Sequence, residues 1–185
     1  ILFDTSIGNI AKLVARNHQF IGVNKAIAHF KEAKQNTING VVSAEDAQRL
    51  GVFWHTQGSG KSLTMVFLAI KMRRDPILKE YKLVFITDRK QLDGQLTATF
   101  ERTQGETVHH AKKVSELKEL LQKDSSDLVT AMMQKFQESE TDFDFPELNT
   151  SEKIIVLADE AHRSQYGILG VALNTALPNA PKIAF

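Results

Sequence analysis

At 185 residues the chain has the size of one domain, and 42% hydrophobic with 24% charged residues excludes disordered, collagenous and coiled-coil chains. Lys and Arg number 23 against 22 Asp and Glu, so the net charge of +1 gives no global basic field for nucleic acid, though a local patch could serve. The absence of cysteine excludes disulfides, thiolate catalysis and iron–sulfur ligation and fits a cytoplasmic protein. The longest apolar runs, Val66–Ile70 and Ile154–Ala158, fall far short of the roughly 20 residues that span a bilayer, so no membrane role is expected.

The chain opens on Ile1 and closes on Lys182-Ile183-Ala184-Phe185, which reads as an unfinished strand. Both ends predict a piece of a longer polypeptide. Helical periodicity over residues 7–36 runs through Ile7, Ile10, Leu13 and Val14, then Val23, Ile27 and Phe30, with Asn24 as a cap for a second helix. Residues 37–49 mix Asn39-Gly40 with Ser43, Glu45 and Asp46 and predict a loop or small hairpin. The reading is therefore an N-terminal helical part over 1–49 and a main domain over 50–185.

From Leu50 strands and helices alternate. Leu50–Trp54 reads as a short buried strand, then a glycine-rich turn leads into a helix over 61–74 that Asp75-Pro76 ends. Leu83–Ile86 predicts a strand, Lys90–Glu101 a helix, Val114–Leu121 a short amphipathic helix and Asp127–Met132 a strand. Residues 137–152 are acidic and predict a solvated loop. Lys153–Ala158 is an apolar strand, followed by a helix near 165–176 and the last strand. Strands that are apolar throughout, alternating with helices, predict a mainly parallel sheet covered on both faces.

His55-Thr56-Gln57-Gly58-Ser59-Gly60-Lys61-Ser62 lies between a predicted strand and a predicted helix. Gly58 and Gly60 allow positive φ and close backbone approach to phosphate oxygens. Gln57, Gly58, Ser59 and Gly60 then form an anion-sized nest at a helix N-terminus, whose dipole adds a favourable field. Lys61 would reach the β- and γ-phosphates of ATP, and the Ser62 hydroxyl would ligate Mg²⁺. His55 occupies the place of the first glycine in the strict pattern, but the Gly-x-Gly-Lys-Ser core that touches phosphate is intact.

Asp159-Glu160-Ala161-His162 follows the strand Ile154–Ala158 directly, at the strand tip where open α/β sheets bind ligands. Asp159 suits Mg²⁺, which keeps several waters and takes few carboxylates. Glu160 would orient or deprotonate the attacking water. An isolated acidic pair is ordinarily a helix N-terminus; together with the phosphate cradle it predicts nucleotide chemistry, with Lys61, Asp159 and Glu160 catalytic. His162 could couple to a neighbouring domain or cap the next helix, and His109-His110 has no metal partner pattern.

Around these motifs the chain resembles the restriction (R) subunit of type I restriction enzymes, a superfamily 2 helicase-like motor. The likeness rests on Gly51–Met65, Thr87-Asp88-Arg89-Lys90-Gln91-Leu92-Asp93, Gln134-Lys135-Phe136, Asp159–Gly167 and Ala176-Leu177-Pro178-Asn179-Ala180, and it covers about residues 10–185. His55 is usual for that family. The resemblance implies a three-layer RecA-like P-loop NTPase lobe that uses ATP to translocate double-stranded DNA. Arg16 and Gln19 resemble its adenine-reading element, and Thr87, Arg89 and Lys135 fall where such motors touch the DNA backbone. The implied partners are methyltransferase and specificity subunits, a second motor lobe and a nuclease domain. Glu80-Tyr81-Lys82 fits the end of a nuclease pattern, but it leads into a sheet strand, so chance suffices. Two other readings are a different superfamily 2 DNA or RNA helicase, and a non-catalytic module that docks nucleotide or DNA.

Overall fold

The computed structural model describes residues 2–4, 11–43, 46, 48–54, 56, 58–87, 100, 108–132, 146–159 and 166–185. Short strands β1 (Leu2–Asp4) and β2 (Ala11–Leu13) pair antiparallel, the second lying within the 7–36 stretch whose periodicity predicted helix. One continuous helix, α1 (Asn17–Ile38), follows. Asn24 does not cap a second helix: it lies inside α1 and donates from Nδ2 to Phe20 O at 2.6 Å. Beyond it come β3 (Arg49–Val52), α2 (Lys61–Arg74) and a 3-10 turn at Leu78–Glu80. Next are β4 (Lys82–Thr87), β5 (Val108–Ala111), α3 (Val114–Gln122) and β6 (Leu128–Met132). The last elements are β7 (Ile154–Ala158), α4 (Tyr166–Ala176) and β8 (Lys182–Ala184). The expected helix over 90–101 and most of the acidic loop lie outside the described residues.

Six strands form one parallel sheet in the order β3-β8-β7-β4-β6-β5. Alternation along each strand explains why the central strands are apolar throughout. Leu83, Phe85, Ile155, Leu157 and Ile183 face one layer, packing with Val23, Ile27 and Phe30 of α1 and Met65 and Leu68 of α2. Val84, Ile86, Val129, Ala131, Val156 and Ala158 face the other, packing with Leu117 and Leu121 of α3 and Leu173 and Ala176 of α4. The result is the expected three-layer α/β lobe, and α1 shares its core with the sheet that follows it.

Interlayer ties are polar as well as apolar. Arg73 of α2 donates to Lys79 O at 3.1 Å, to Tyr81 O at 2.6 Å and to Ser126 O, which ends α2 against the starts of β4 and β6. Lys82 is buried on β4, and its ammonium donates to Leu120 O and Lys123 O, carbonyls at the end of α3 that the helix itself leaves unsatisfied. Burial pushes the Lys82 ammonium below its ordinary range, against the opposing pull of Asp127 and Asp124. Glu80-Tyr81-Lys82 is thus a turn and strand start, with Tyr81 and Lys82 buried.

Candidate functional site

Three strand ends and one helix start converge at the carboxyl edge of the sheet. β3 is irregular against β8, with Gly51 at φ 105° between the paired residues Arg49 and Val52. Phe53 then donates its N–H to Ala184 O at 2.8 Å and stacks its ring on Phe185, centroids 4.6 Å apart and planes 2° from parallel. These contacts fix where the chain leaves the sheet.

The glycine-rich loop turns back at once, with Ser59 N–H donating to Thr56 O at 3.1 Å and Gly58 at φ 78°. Gly60 is the N-cap of α2 in the left-handed conformation, φ 90° and ψ 39°, which only glycine adopts without strain. Among the described residues no side chain caps α2, and its first turn holds no acid. The N-terminal dipole of such a helix suits an anion.

Lys61 opens α2 and places Nζ 3.2 Å from Asp159 Oδ1. The Asp159 side chain is 2% exposed and that of Lys61 24%, so the pair lies at the floor of the crevice with the ammonium on its open side. Asp159 is set by the sheet: its N–H donates to Ile86 O at 2.8 Å, one step beyond the paired residues Ile86 and Ala158. Ser62 stands half-buried in the first turn of α2.

Gln19 seals the other side of the loop. It is 2% exposed, donates from Nε2 to Gly60 O at 3.1 Å and accepts Arg16 N–H on Oε1 at 2.9 Å. Gly60 O also accepts Thr64 N–H at 3.0 Å and the Thr64 hydroxyl at 3.1 Å. His18 Nε2 lies 3.3 Å from Ser59 O. His18 and Thr64 were not expected here; the signals are the residue next to Gln19 and a hydroxyl one helical turn beyond the glycines. Gln19 also lines an open groove of about 430 Å³ between α1 and α2, with Phe20, Phe67 and Ile70. Arg16 is exposed at the start of α1.

Of the expected residues, the structure brings together Gly58, Ser59, Gly60, Lys61, Ser62, Asp159 and Gln19. Gln57, Glu160, Arg89 and Lys135 lie outside the described residues. Thr87, expected at the DNA backbone, ends β4 with its side chain fully buried. Strand alternation turns it inward, toward the layer that Leu83 and Phe85 face.

The residues present fit a nucleotide with Mg²⁺. A hydroxyl and a carboxylate are hard oxygen donors, and two of them suit an ion that keeps its waters and shares phosphate oxygens. Among the described residues no group of three or more His, Asp or Glu forms a closed metal cage. No described helix is long and apolar enough to cross a membrane.

A family model described as SWI2/SNF2 ATPase matches residues 18–185. Over its whole length the chain is 39% identical to a putative type I restriction enzyme MjaIXP endonuclease subunit from Methanocaldococcus jannaschii, covering 17% of that protein. It is 40% identical to the type I restriction enzyme HindI endonuclease subunit from Haemophilus influenzae, again over the whole chain and 18% of that protein. The chain thus spans less than a fifth of the length of these relatives. In fold it is similar to a nuclease-deletion mutant of the type ISP restriction-modification enzyme LlaGI, solved with a DNA substrate mimic. That match has a TM-score of 0.56 at 19% identity, over 93% of this chain and 17% of that one.

Proposed function

The chain belongs to the SWI2/SNF2 ATPase family, and from that premise we propose that it is the ATP-binding motor lobe of a type I restriction subunit, coupling ATP hydrolysis to movement along double-stranded DNA. The observation that carries the reading is the Lys61–Asp159 pair at 3.2 Å, seated between the start of α2 and the end of β7. A buried carboxylate facing a phosphate-sized loop and a lysine is the arrangement that nucleotide hydrolysis asks for.

In this reading the N–H groups of Gln57, Gly58, Ser59 and Gly60 cradle the phosphates and Lys61 turns from Asp159 to the β- and γ-phosphates. Ser62 and Asp159 would hold Mg²⁺, which neutralises charge developing on the transferring phosphoryl group. Glu160 orients the attacking water and takes its proton. Adenine is read by Arg16 and Gln19, a proposal supported by the place of Gln19 between the loop and the α1–α2 groove. Arg89 and Lys135 contact the DNA backbone. Residues 1–49 act as the adenine-reading part and 50–185 as the motor lobe, working in the cytoplasm with a second lobe, a nuclease domain, and methyltransferase and specificity subunits.

The test is nucleotide binding and DNA-stimulated ATP hydrolysis by the whole protein beside its Lys61→Ala variant. The expected result is Mg²⁺-dependent binding by the parent, and loss of both binding and turnover in the variant. ATP-driven translocation that survives Lys61→Ala assigns the loop to docking and overturns the motor reading.

A further inference from the structure

The end of β4 holds a polar group that the chemistry above leaves unused. Thr87 is completely buried, and its Oγ1 has no hydrogen-bond partner among the described residues. A buried hydroxyl in that state weakens the fold, and valine has nearly the same shape without the hydroxyl. Folding alone therefore does not account for threonine at this position.

Its neighbour supplies the account. β4 and β7 pair in register, Phe85 with Leu157 and Ile86 with Ala158, so the next step sets Thr87 beside Asp159. Leu83 and Phe85 share one layer with Ile155 and Leu157. Alternation by two carries Thr87 and Asp159 to that same face, where Lys61 meets Asp159. The Lys61 ammonium lies against the carboxylate; in the nucleotide reading, phosphate in the glycine-rich loop would draw that ammonium away.

We infer that Thr87 is a positioning residue for Asp159: when Lys61 turns to phosphate, the Thr87 hydroxyl donates to the Asp159 carboxylate and fixes its orientation toward Mg²⁺. The inference rests on the nucleotide reading of the site. β-Branching suits the task, because it restricts the side-chain torsion that aims the hydroxyl. Burial suits it as well, since a hydrogen bond to a charged group gains strength away from water.

The experiment compares the parent protein with Thr87→Val and Thr87→Ser, measuring ligand-free melting temperature and binding of a fluorescent ATP analogue. Binding is read in EDTA and across a Mg²⁺ titration. Thr87→Val is expected to melt at or above the parent and to bind nucleotide equally well in EDTA, yet to need about tenfold more Mg²⁺ for half-saturation. Thr87→Ser should restore the parental Mg²⁺ requirement. A parental requirement in Thr87→Val overturns the inference, as does a lower melting temperature or an equal loss of affinity with and without Mg²⁺. A parent that binds no nucleotide under any condition overturns the ATPase reading, and this assignment with it.

Discussion

Lys61 and Asp159 form an ion pair at 3.2 Å in which the carboxylate side chain is almost wholly buried and the ammonium is not. The asymmetry sets the cost of losing either partner. Removing the lysine strands a buried charge, whereas removing the aspartate leaves an ammonium that can turn to solvent. Lys61→Ala should therefore lower ligand-free stability by about 2–3 kcal/mol, and adding Asp159→Asn should return about 1 kcal/mol or more. Urea denaturation of the two single variants and the double variant checks this; strictly additive losses would count against the pair.

Gly58 and Gly60 both have positive φ, but their surroundings differ. A Cβ on Gly58 would meet open space, while one on Gly60 would come within 2.9 Å of Gln19 Nε2. Gly58→Ala should cost about 1 kcal/mol of backbone strain alone. Gly60→Ala should cost about 1 kcal/mol more, because the Gln19 amide must leave Gly60 O. Thermal melts of the two variants decide it, and equal losses would mean that Gln19 does not brace the loop.

Asp75 ends α2 and accepts Ile77 N–H at 3.0 Å and Leu78 N–H at 3.3 Å while pairing with Lys31 of α1. The Lys31 bond, aided by those two amides, holds its carboxyl below the ordinary aspartate value of 3.8. A depressed carboxyl stabilises the fold fully above its unfolded value and loses that contribution as pH falls through the folded one. The window is therefore below pH 3.8. Asp75→Asn should lower stability near neutrality and flatten its decline in acid, read from denaturation midpoints across pH.

Burial lowers the Lys82 pKa from 10.5, so the unfolded chain binds the proton more tightly than the folded one. Stability from this group must then rise as pH climbs from the folded value toward 10.5. Relative to Lys82→Met, the parent should gain stability over that alkaline range, because methionine has no proton to lose. A parent that loses stability relative to Lys82→Met there would contradict the burial of Lys82.

Where the chain writes one physical demand in several residues, the sequence was legible. The P-loop helix begins and ends where predicted, 61–74, because glycines fix its start and Asp75-Pro76 its end. β4 and β7 were visible because burial on both faces permits only apolar runs. β5 was missed: His109 and His110 hide it. There His110 Nδ1 meets the Thr130 hydroxyl at 3.1 Å and His109 Nε2 lies 3.8 Å from Asp127, so an edge strand satisfies polar side chains across the ladder. β1 and β2 span three residues each, too few to set a period. Asn24 misled because its side chain bonds a carbonyl four residues back within α1 as readily as it caps a start. The burial of Thr87 was not legible, because sheet register, which the sequence does not write, decides its face.

The position of β3 in the sheet has a kinetic consequence. It carries the glycine-rich loop, yet among the described strands it pairs only with β8, matching Val52 to Ala184. Loop closure over so long a stretch is slow, and no hairpin can shorten it in a parallel sheet. During synthesis β3 has no described strand to pair with until residues 182–184 have emerged, whereas α1 and α2 can already meet. A ligand that needs this loop in place would bind only chains in which β3 is already paired, and would protect them against unfolding by an amount that grows with the logarithm of its concentration.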